Sequence, residues 1–168
     1  LKTQLLVITG GPGTGKTTSI RAILAMFDEI GIKTLLCAPT GRAAKRMTEL
    51  TGRDAATVHR MLGAKFDEDN DRVVFTKDES DRLDCDAVIL DESSMVDICL
   101  MDALLRALPP DARLIMVGDA DQLPSVGPGN VFSALIRSQV VATVRLTEIF
   151  RQTGDSRIIR NAHMINRG

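Results

Sequence analysis

The stretch from Leu5 to Thr18 reads Leu-Leu-Val-Ile-Thr-Gly-Gly-Pro-Gly-Thr-Gly-Lys-Thr-Thr. It holds a complete G-x-x-x-x-G-K-[ST] phosphate loop, from Gly10 to Thr17. An apolar strand (Leu5–Thr9) runs into the loop, and a helical pattern (Lys16–Ile30) leaves it. That strand–loop–helix setting is the one in which the motif has its chemical meaning. The glycines let the backbone curl so that successive N–H groups face an anion. The helix start adds a partial positive charge. Residues Gly11, Pro12, Gly13, Thr14, Gly15, Lys16, Thr17 and Thr18 are therefore expected to cradle a nucleoside triphosphate. Lys16 would reach its β- and γ-phosphates, and the Thr17 hydroxyl would bind Mg2+.

Working outward, strand and helix patterns alternate. Thr34–Ala38 reads as a strand, Gly41–Thr51 as a helix, and Ala56–Leu62 as a short amphipathic turn or helix. Asp86–Asp91 is a buried strand, Val96–Leu108 a helix stopped by Pro109 and Pro110, and Arg113–Gly118 a strand. Asn130–Arg137 reads as a helix, Val140–Leu146 as a strand and Asp155–Asn166 as a helix. Continuous apolar strands separated by helices predict an α/β fold with a doubly wound, mostly parallel sheet. Ligands of such sheets bind at the carboxyl ends of the strands. The phosphate loop, Pro39–Gly41, Asp91–Glu92 and Gly118–Gln122 all follow strands, so they should gather on one edge. One stretch departs from the alternation. Lys65–Lys77 has apolar flanks around an Asp/Asn-rich turn, which signals a β-hairpin; the same residues also read as a solvated acidic loop.

With 168 residues the chain suits a single domain with a real core. It has five Phe, no Trp and no Tyr, so that core must be aliphatic. A net charge of −1 excludes bulk electrostatic attraction to nucleic acid, and any such binding must use a local patch. Cys37, Cys85 and Cys99 are odd in number and lack zinc-ligand spacing, so they read as reduced thiols of a cytoplasmic protein. No apolar run is long enough for a membrane span, and no membrane partner is expected. A start at Leu1, almost directly followed by a strand, suggests a piece of a longer protein.

Two further blocks carry chemistry. Asp91-Glu92 closes an apolar strand. The first carboxylate is placed to hold Mg2+ and the second to orient or deprotonate an attacking water. Charges this close to a core need a partner, which a cation supplies. Gly118-Asp119-Ala120-Asp121-Gln122 then leaves the next strand, and a neutral amide there can touch a γ-phosphate and a second ligand.

Taken together, the blocks resemble the motifs of superfamily 1 helicases. Gly-Asp-Ala-Asp-Gln-Leu-Pro-Ser-Val (118–126) resembles motif III, Cys-Ala-Pro-Thr-Gly-Arg-Ala-Ala (37–44) motif Ia, and Ala-Thr-Val-His-Arg-Met-Leu (56–62) motif Ib. Val-Ile-Leu-Asp-Glu-Ser-Ser-Met (88–95) resembles motif II and Leu-Thr-Glu-Ile-Phe-Arg-Gln (146–152) motif IV. The set is similar to the RecD-like branch, the exonuclease V alpha subunits and their stand-alone relatives, over essentially the whole chain.

The resemblance implies a first RecA-like motor domain that uses ATP and Mg2+ in DNA recombination and repair. Lys16, Glu92, Gln122 and Arg151 would be catalytic, with Glu92 as base and Arg151 on the γ-phosphate. Thr17 and Asp91 would hold the metal. Pro39, Thr40, Gly41 and Arg42 would line the path of single-stranded DNA, as would Thr57, His59 and Arg60. Read without the resemblance, His59 is a satisfied polar residue on a helix face, and Arg42 and Arg60 are solvated charges. Residues 64–79 occupy the place of the family's duplex-splitting pin, but here the tip carries Asp67, Glu68, Asp69 and Asp71. Such a tip would repel phosphates and act only sterically. Implied partners are single-stranded and duplex DNA, a second RecA-like domain and other exonuclease V subunits. Motifs V and VI of that second domain are not found in this sequence, so the fragment alone is expected to be nearly inactive. The phosphate loop by itself also allows a nucleotide kinase-like phosphotransferase or a nucleotide-dependent switch. Gly118–Val126 has no place in the first, and Glu92 speaks against the second.

Overall fold

The computed structural model describes residues 3–123 and 125–148. The expected helix at 155–166 and Arg151 lie outside the described residues. Eight strands are described: β1 (Leu5–Gly10), β2 (Thr34–Ala38), β3 (Ala55–Thr57), β4 (Ala64–Asp67), β5 (Arg72–Phe75), β6 (Ala87–Leu90), β7 (Arg113–Gly118) and β8 (Ala142–Leu146). The helices are α1 (Lys16–Glu29), α2 (Gly41–Thr51), α3 (Val58–Met61), α4 (Ile98–Ala107) and α5 (Val131–Ser138). A short 3-10 turn covers Ser93–Met95.

Six strands form one sheet in the order β3-β2-β6-β7-β1-β8. Every pairing in it is parallel. The predicted doubly wound α/β sheet is therefore present. The chain starts in the interior of the sheet and builds outward on both sides, so β1 has neighbours on both edges. Strands β6 and β7 read as unbroken apolar runs because both of their faces are covered.

On one face, α1 presents Ile20, Ile23, Leu24 and Phe27, the spacing of one helix stripe, to Ile8, Ile89, Ile115 and Val117. On the other, Leu100, Met101 and Leu104 of α4 and Phe132 and Ile136 of α5 pack on Val7, Val88, Leu114 and Met116. Each fully buried side chain of this size stabilises the fold by roughly 1.5–3 kcal/mol.

Among the departures from the sequence reading, three bear on the architecture. Ala55–Thr57 pairs in register with Leu36–Ala38, so the segment before α3 is an edge strand rather than the start of a helix. Three residues of Ala-Ala-Thr carry no strand pattern, and the neighbouring β2 imposes the conformation. Helix α4 begins at Ile98, later than expected, because Asp97 is its N-cap and accepts from the Leu100 N–H at 2.8 Å. The hairpin reading of Lys65–Lys77 holds over a shorter span: β4 and β5 pair antiparallel, with Phe66 opposite Val73 and Asp67 opposite Arg72.

Candidate nucleotide-binding site

The phosphate loop connects β1 to α1. Gly13 and Gly15 have φ of 82° and 92°, in the left-handed region that favours glycine. Thr14 is buried and braces the turn from inside, its hydroxyl donating to the Gly11 carbonyl at 2.8 Å. Lys16 Nζ donates to the carbonyls of Gly10 at 2.6 Å and Gly11 at 3.2 Å, which holds the ammonium over the loop. Helix α1 starts after Gly15 with no side-chain cap. Its first-turn N–H groups therefore have no side-chain acceptor, the condition under which a helix start takes an anion.

Asp91 and Glu92 follow β6 directly. The Asp91 N–H donates to the Cys37 carbonyl on β2 at 2.9 Å, and the Glu92 N–H donates to Asp91 Oδ1 at 2.9 Å. Glu92 itself has φ 51°, a left-handed conformation that a side chain adopts only at a cost of about 1–3 kcal/mol. Burial pushes the Asp91 carboxyl above its ordinary range, with Lys16 and Arg46 pulling the other way. Burial, then the neighbouring Asp91, pushes Glu92 up as well. Two carboxylates held this way favour a cation beside them and a proton acceptor role for the second.

The segment after β7 is tied to the loop strand. The Ala120 N–H donates to Thr9 Oγ1 at 3.2 Å, one residue before Gly10. Asp119 is buried and accepts from the Asp121 N–H at 3.1 Å. Gly118 sits where a Cβ would be 3.0 Å from the Phe132 ring and 3.2 Å from Ser94 N, so this crossing demands glycine-like slimness.

These pieces surround one cleft of about 410 Å3. Its walls include Gly11, Pro12, Gly13, Gly15, Lys16, Thr17 and Thr18, together with Asp91, Glu92 and Gln122. The structure thus brings together every described residue expected at the nucleotide except Thr14, which lies beneath the loop. Thr17 and Asp91 line the same cleft, as a shared Mg2+ requires. Among the described residues no group of three or more His, Cys, Asp or Glu forms a metal cage. Mg2+ needs none when substrate phosphates and water complete its shell. The residues present therefore fit a Mg-nucleotide.

The far wall of the cleft adds residues outside the expected set. It comes from α2, as Ala43, Arg46, Met47, Leu50 and Thr51. These positions follow the i, i+3, i+4, i+7, i+8 stripe of one helix face, so the signal was present in the periodicity. It acquires meaning only once α2 lies beside α1.

The residues expected to face DNA lie farther along the same sheet edge. Ala38 and Thr57 are register partners on β2 and β3, so the two groups emerge side by side. Pro39 and Thr40 are half-buried, Gly41 and Arg42 exposed. Thr57 is half-buried, and His59 and Arg60 are exposed. Both threonines cap helices. Thr40 Oγ1 accepts from the Ala43 N–H at 3.2 Å and Thr57 Oγ1 from the Arg60 N–H at 3.1 Å. The His59 ring lies 5.8 Å from the Phe75 ring of the hairpin. Cys37 and Cys85 are buried thiols, the latter pushed up to about 11 by burial, and Cys99 is exposed. No described helix is long and apolar enough to cross a membrane.

Six parallel strands with a phosphate loop after β1 and an Asp-Glu pair after β6 define a phosphate-loop domain of the RecA-like kind. The family described as "AAA domain" matches residues 1–128, and the chain belongs to it. The chain is 43% identical over 165 residues to the ATP-dependent RecD2 DNA helicase of Deinococcus radiodurans, covering 98% of this chain and 22% of that protein. It is 37% identical to the RecBCD enzyme subunit RecD of Mycolicibacterium smegmatis, covering 91% of this chain and 32% of that protein. It thus spans between about a fifth and a third of the length of these curated relatives. Among solved structures it resembles the Pif1 helicases described in a study of DNA unwinding at forked dsDNA, with a TM-score of 0.68 and 26% identity over 96% of this chain and 44% of that one. It also resembles the Pif1 helicase of Candida albicans, with a TM-score of 0.60 and 28% identity over 92% of this chain and 39% of that one.

Proposed function

We propose that the chain is the first motor domain of a DNA helicase that couples ATP hydrolysis to movement on single-stranded DNA and to duplex unwinding. One observation carries this reading. The nucleotide cleft and the exposed Arg42, His59 and Arg60 stand on the same edge of one sheet, and α2 borders both.

In the proposed chemistry, Gly11–Thr18 and the open start of α1 hold the phosphates, and Lys16 sits on the β- and γ-phosphates. Thr17 and Asp91 hold Mg2+, which when bound neutralises charge on the transferring phosphoryl group. Glu92 accepts the proton of the attacking water, with its raised affinity for protons suited to that task. Gln122, which lines the cleft, is proposed to sense the terminal phosphate. Arg151 is proposed to complete the γ-phosphate contacts. A second RecA-like domain would close the cleft, and an arginine supplied in that way is worth about 10^3–10^5 in rate in other phosphate-loop enzymes. DNA partners, assembly with other exonuclease V subunits and a 5′-to-3′ direction are proposed from likeness to RecD-type proteins. The β4–β5 hairpin would act on a duplex sterically, since its turn is acidic and its exposed cross-strand pair is Phe66 and Val73.

The test is ATP turnover by the full-length protein with and without single-stranded DNA, beside Glu92→Gln. DNA should stimulate the wild type, and the substitution should lower turnover by roughly 10^2–10^4 while nucleotide still binds. Turnover indifferent to DNA, or phosphate transfer to a nucleoside monophosphate, would overturn the reading.

A further inference from the structure

Arg46 has been given no role in the proposed chemistry, yet it stands on the α2 wall of the nucleotide cleft. Its neighbour Met47 is buried against α1 residues, which fixes the rotation of α2 and leaves Arg46 on the cleft side. Arg53, Arg72 and Arg106 form ion pairs with carboxylates. Arg46 forms no ion pair among the described residues, although Asp91 and Glu92 are close enough to feel its charge. Among the described residues, Lys16 is the other cation acting on that pair. Without Arg46, one lysine would face two carboxylates, and a Mg-nucleoside triphosphate is itself anionic. A second positive charge would offset that excess, and Arg46 lines the same cleft as Glu92 and acts on its charge. A guanidinium is suited to that place because its planar fork binds phosphate oxygens in pairs.

Helix α2 gives this charge a second connection. Arg42 precedes Arg46 by four residues and shares its flank of the helix. The far end of α2 is anchored, since Arg53 Nη2 pairs with Asp28 of α1 at 2.5 Å and Thr48 Oγ1 accepts from the Ala55 N–H at 3.0 Å. Its start is the end that borders the strand-end residues of β2 and β3.

We propose that Arg46 binds the terminal phosphate of the nucleotide and, as part of a rigid α2, links the presence of that phosphate to the grip of Arg42 and its neighbours on single-stranded DNA. The second half rests on the helicase reading above. The first half rests only on the cleft being a nucleotide site.

The experiment uses full-length protein carrying Arg46→Ala, Arg46→Lys or Arg42→Ala. Equilibrium affinity is measured by fluorescence for a non-hydrolysable ATP analogue and for ADP, each with Mg2+. Affinity for a single-stranded oligonucleotide is measured with each nucleotide present. Arg46→Ala should weaken the triphosphate by about tenfold or more, the size of one lost charge-assisted hydrogen bond, and the diphosphate by less than about threefold. Arg46→Lys should recover part of the loss. The difference in DNA affinity between the two nucleotide states should shrink in Arg46→Ala. Arg42→Ala should weaken DNA in both states and leave the triphosphate-to-diphosphate ratio intact. Equal weakening of both nucleotides, or of neither, overturns the terminal-phosphate contact. An unchanged difference in DNA affinity overturns the link. A wild-type protein that binds no single-stranded DNA sinks the helicase reading and the link with it, while the nucleotide ratio still decides the contact. Arg46 is exposed, and circular dichroism spectra of the variants check that folding is intact.

Discussion

Three helices start at the same edge of the sheet, and they start in two ways. Helix α1 follows a left-handed Gly15 and has no side-chain cap. Helices α2 and α3 follow Thr40 and Thr57, whose hydroxyls accept from their first-turn N–H groups. Helices α4 and α5 are likewise capped, by Asp97 and Asn130. Leaving one end open behind a glycine costs roughly a few tenths of a kcal/mol relative to a good cap. The fold accepts that cost only where an anion can satisfy the same donors. The capped ends have donors already taken by their caps, so the contacts proposed there fall to exposed side chains such as Arg42, His59 and Arg60. The nucleotide region is thus built from backbone, and the neighbouring region from side chains.

The sharpest way to break this contrast is Gly15→Ala. A Cβ in this left-handed position should cost about 1–3 kcal/mol of stability, and it should abolish tight Mg-ATP binding because the backbone itself is the binding surface. Isothermal titration with nucleotide, beside thermal unfolding, checks both. A stable variant with unchanged affinity would show that the loop backbone does not set the site.

Thr40→Ala and Thr57→Ala should each cost about 1 kcal/mol, or roughly 2–4 °C in the thermal midpoint for a domain of this size. Nucleotide affinity should stay the same, and serine should restore stability at either position. If instead DNA affinity falls while the midpoint holds, the hydroxyls serve the ligand rather than the helix.

The same contrast explains what could be read in advance. The phosphate loop, the Asp91-Glu92 pair and the apolar strands are local in sequence, and each kept its predicted place. Strand β3 was not legible, because Ala55–Thr57 has no pattern of its own and takes its conformation from β2. The start of α4 is not legible because Asp97 fits the interior of a helical pattern as well as a cap, and only its bond from the Leu100 N–H distinguishes the two. The roles of Thr9 and Arg46 are illegible for a different reason. Thr9 gains its role from Ala120, far along the chain, and Arg46 from the packing of α2 on α1. Sequence spacing reports neighbours along an element, and these two positions matter through neighbours across elements.

The smallest expected effect has the opposite sign and concerns pH. Asp91 is held above the ordinary carboxylate range chiefly by burial, so the folded chain binds its proton more tightly than the unfolded chain does. As pH falls, the folded state takes up that proton first, and the stability tied to this group rises through its folded-state value. Above that value the group is ionised and that stability is lost. Asp91→Asn should therefore raise the thermal midpoint at pH 7, and the gain should shrink steadily as pH approaches about 4, where the unfolded carboxyl also protonates. The gain stays modest because Lys16 and Arg46 already offset part of the burial. It also includes relief at Glu92, which loses a like charge beside it. Thermal unfolding across that pH range, run on both proteins without nucleotide, gives the comparison. A lower midpoint for the variant at pH 7 would mean that the Glu92 N–H bond to Asp91 outweighs burial, and that the strand end is built to hold its charge rather than strained by it.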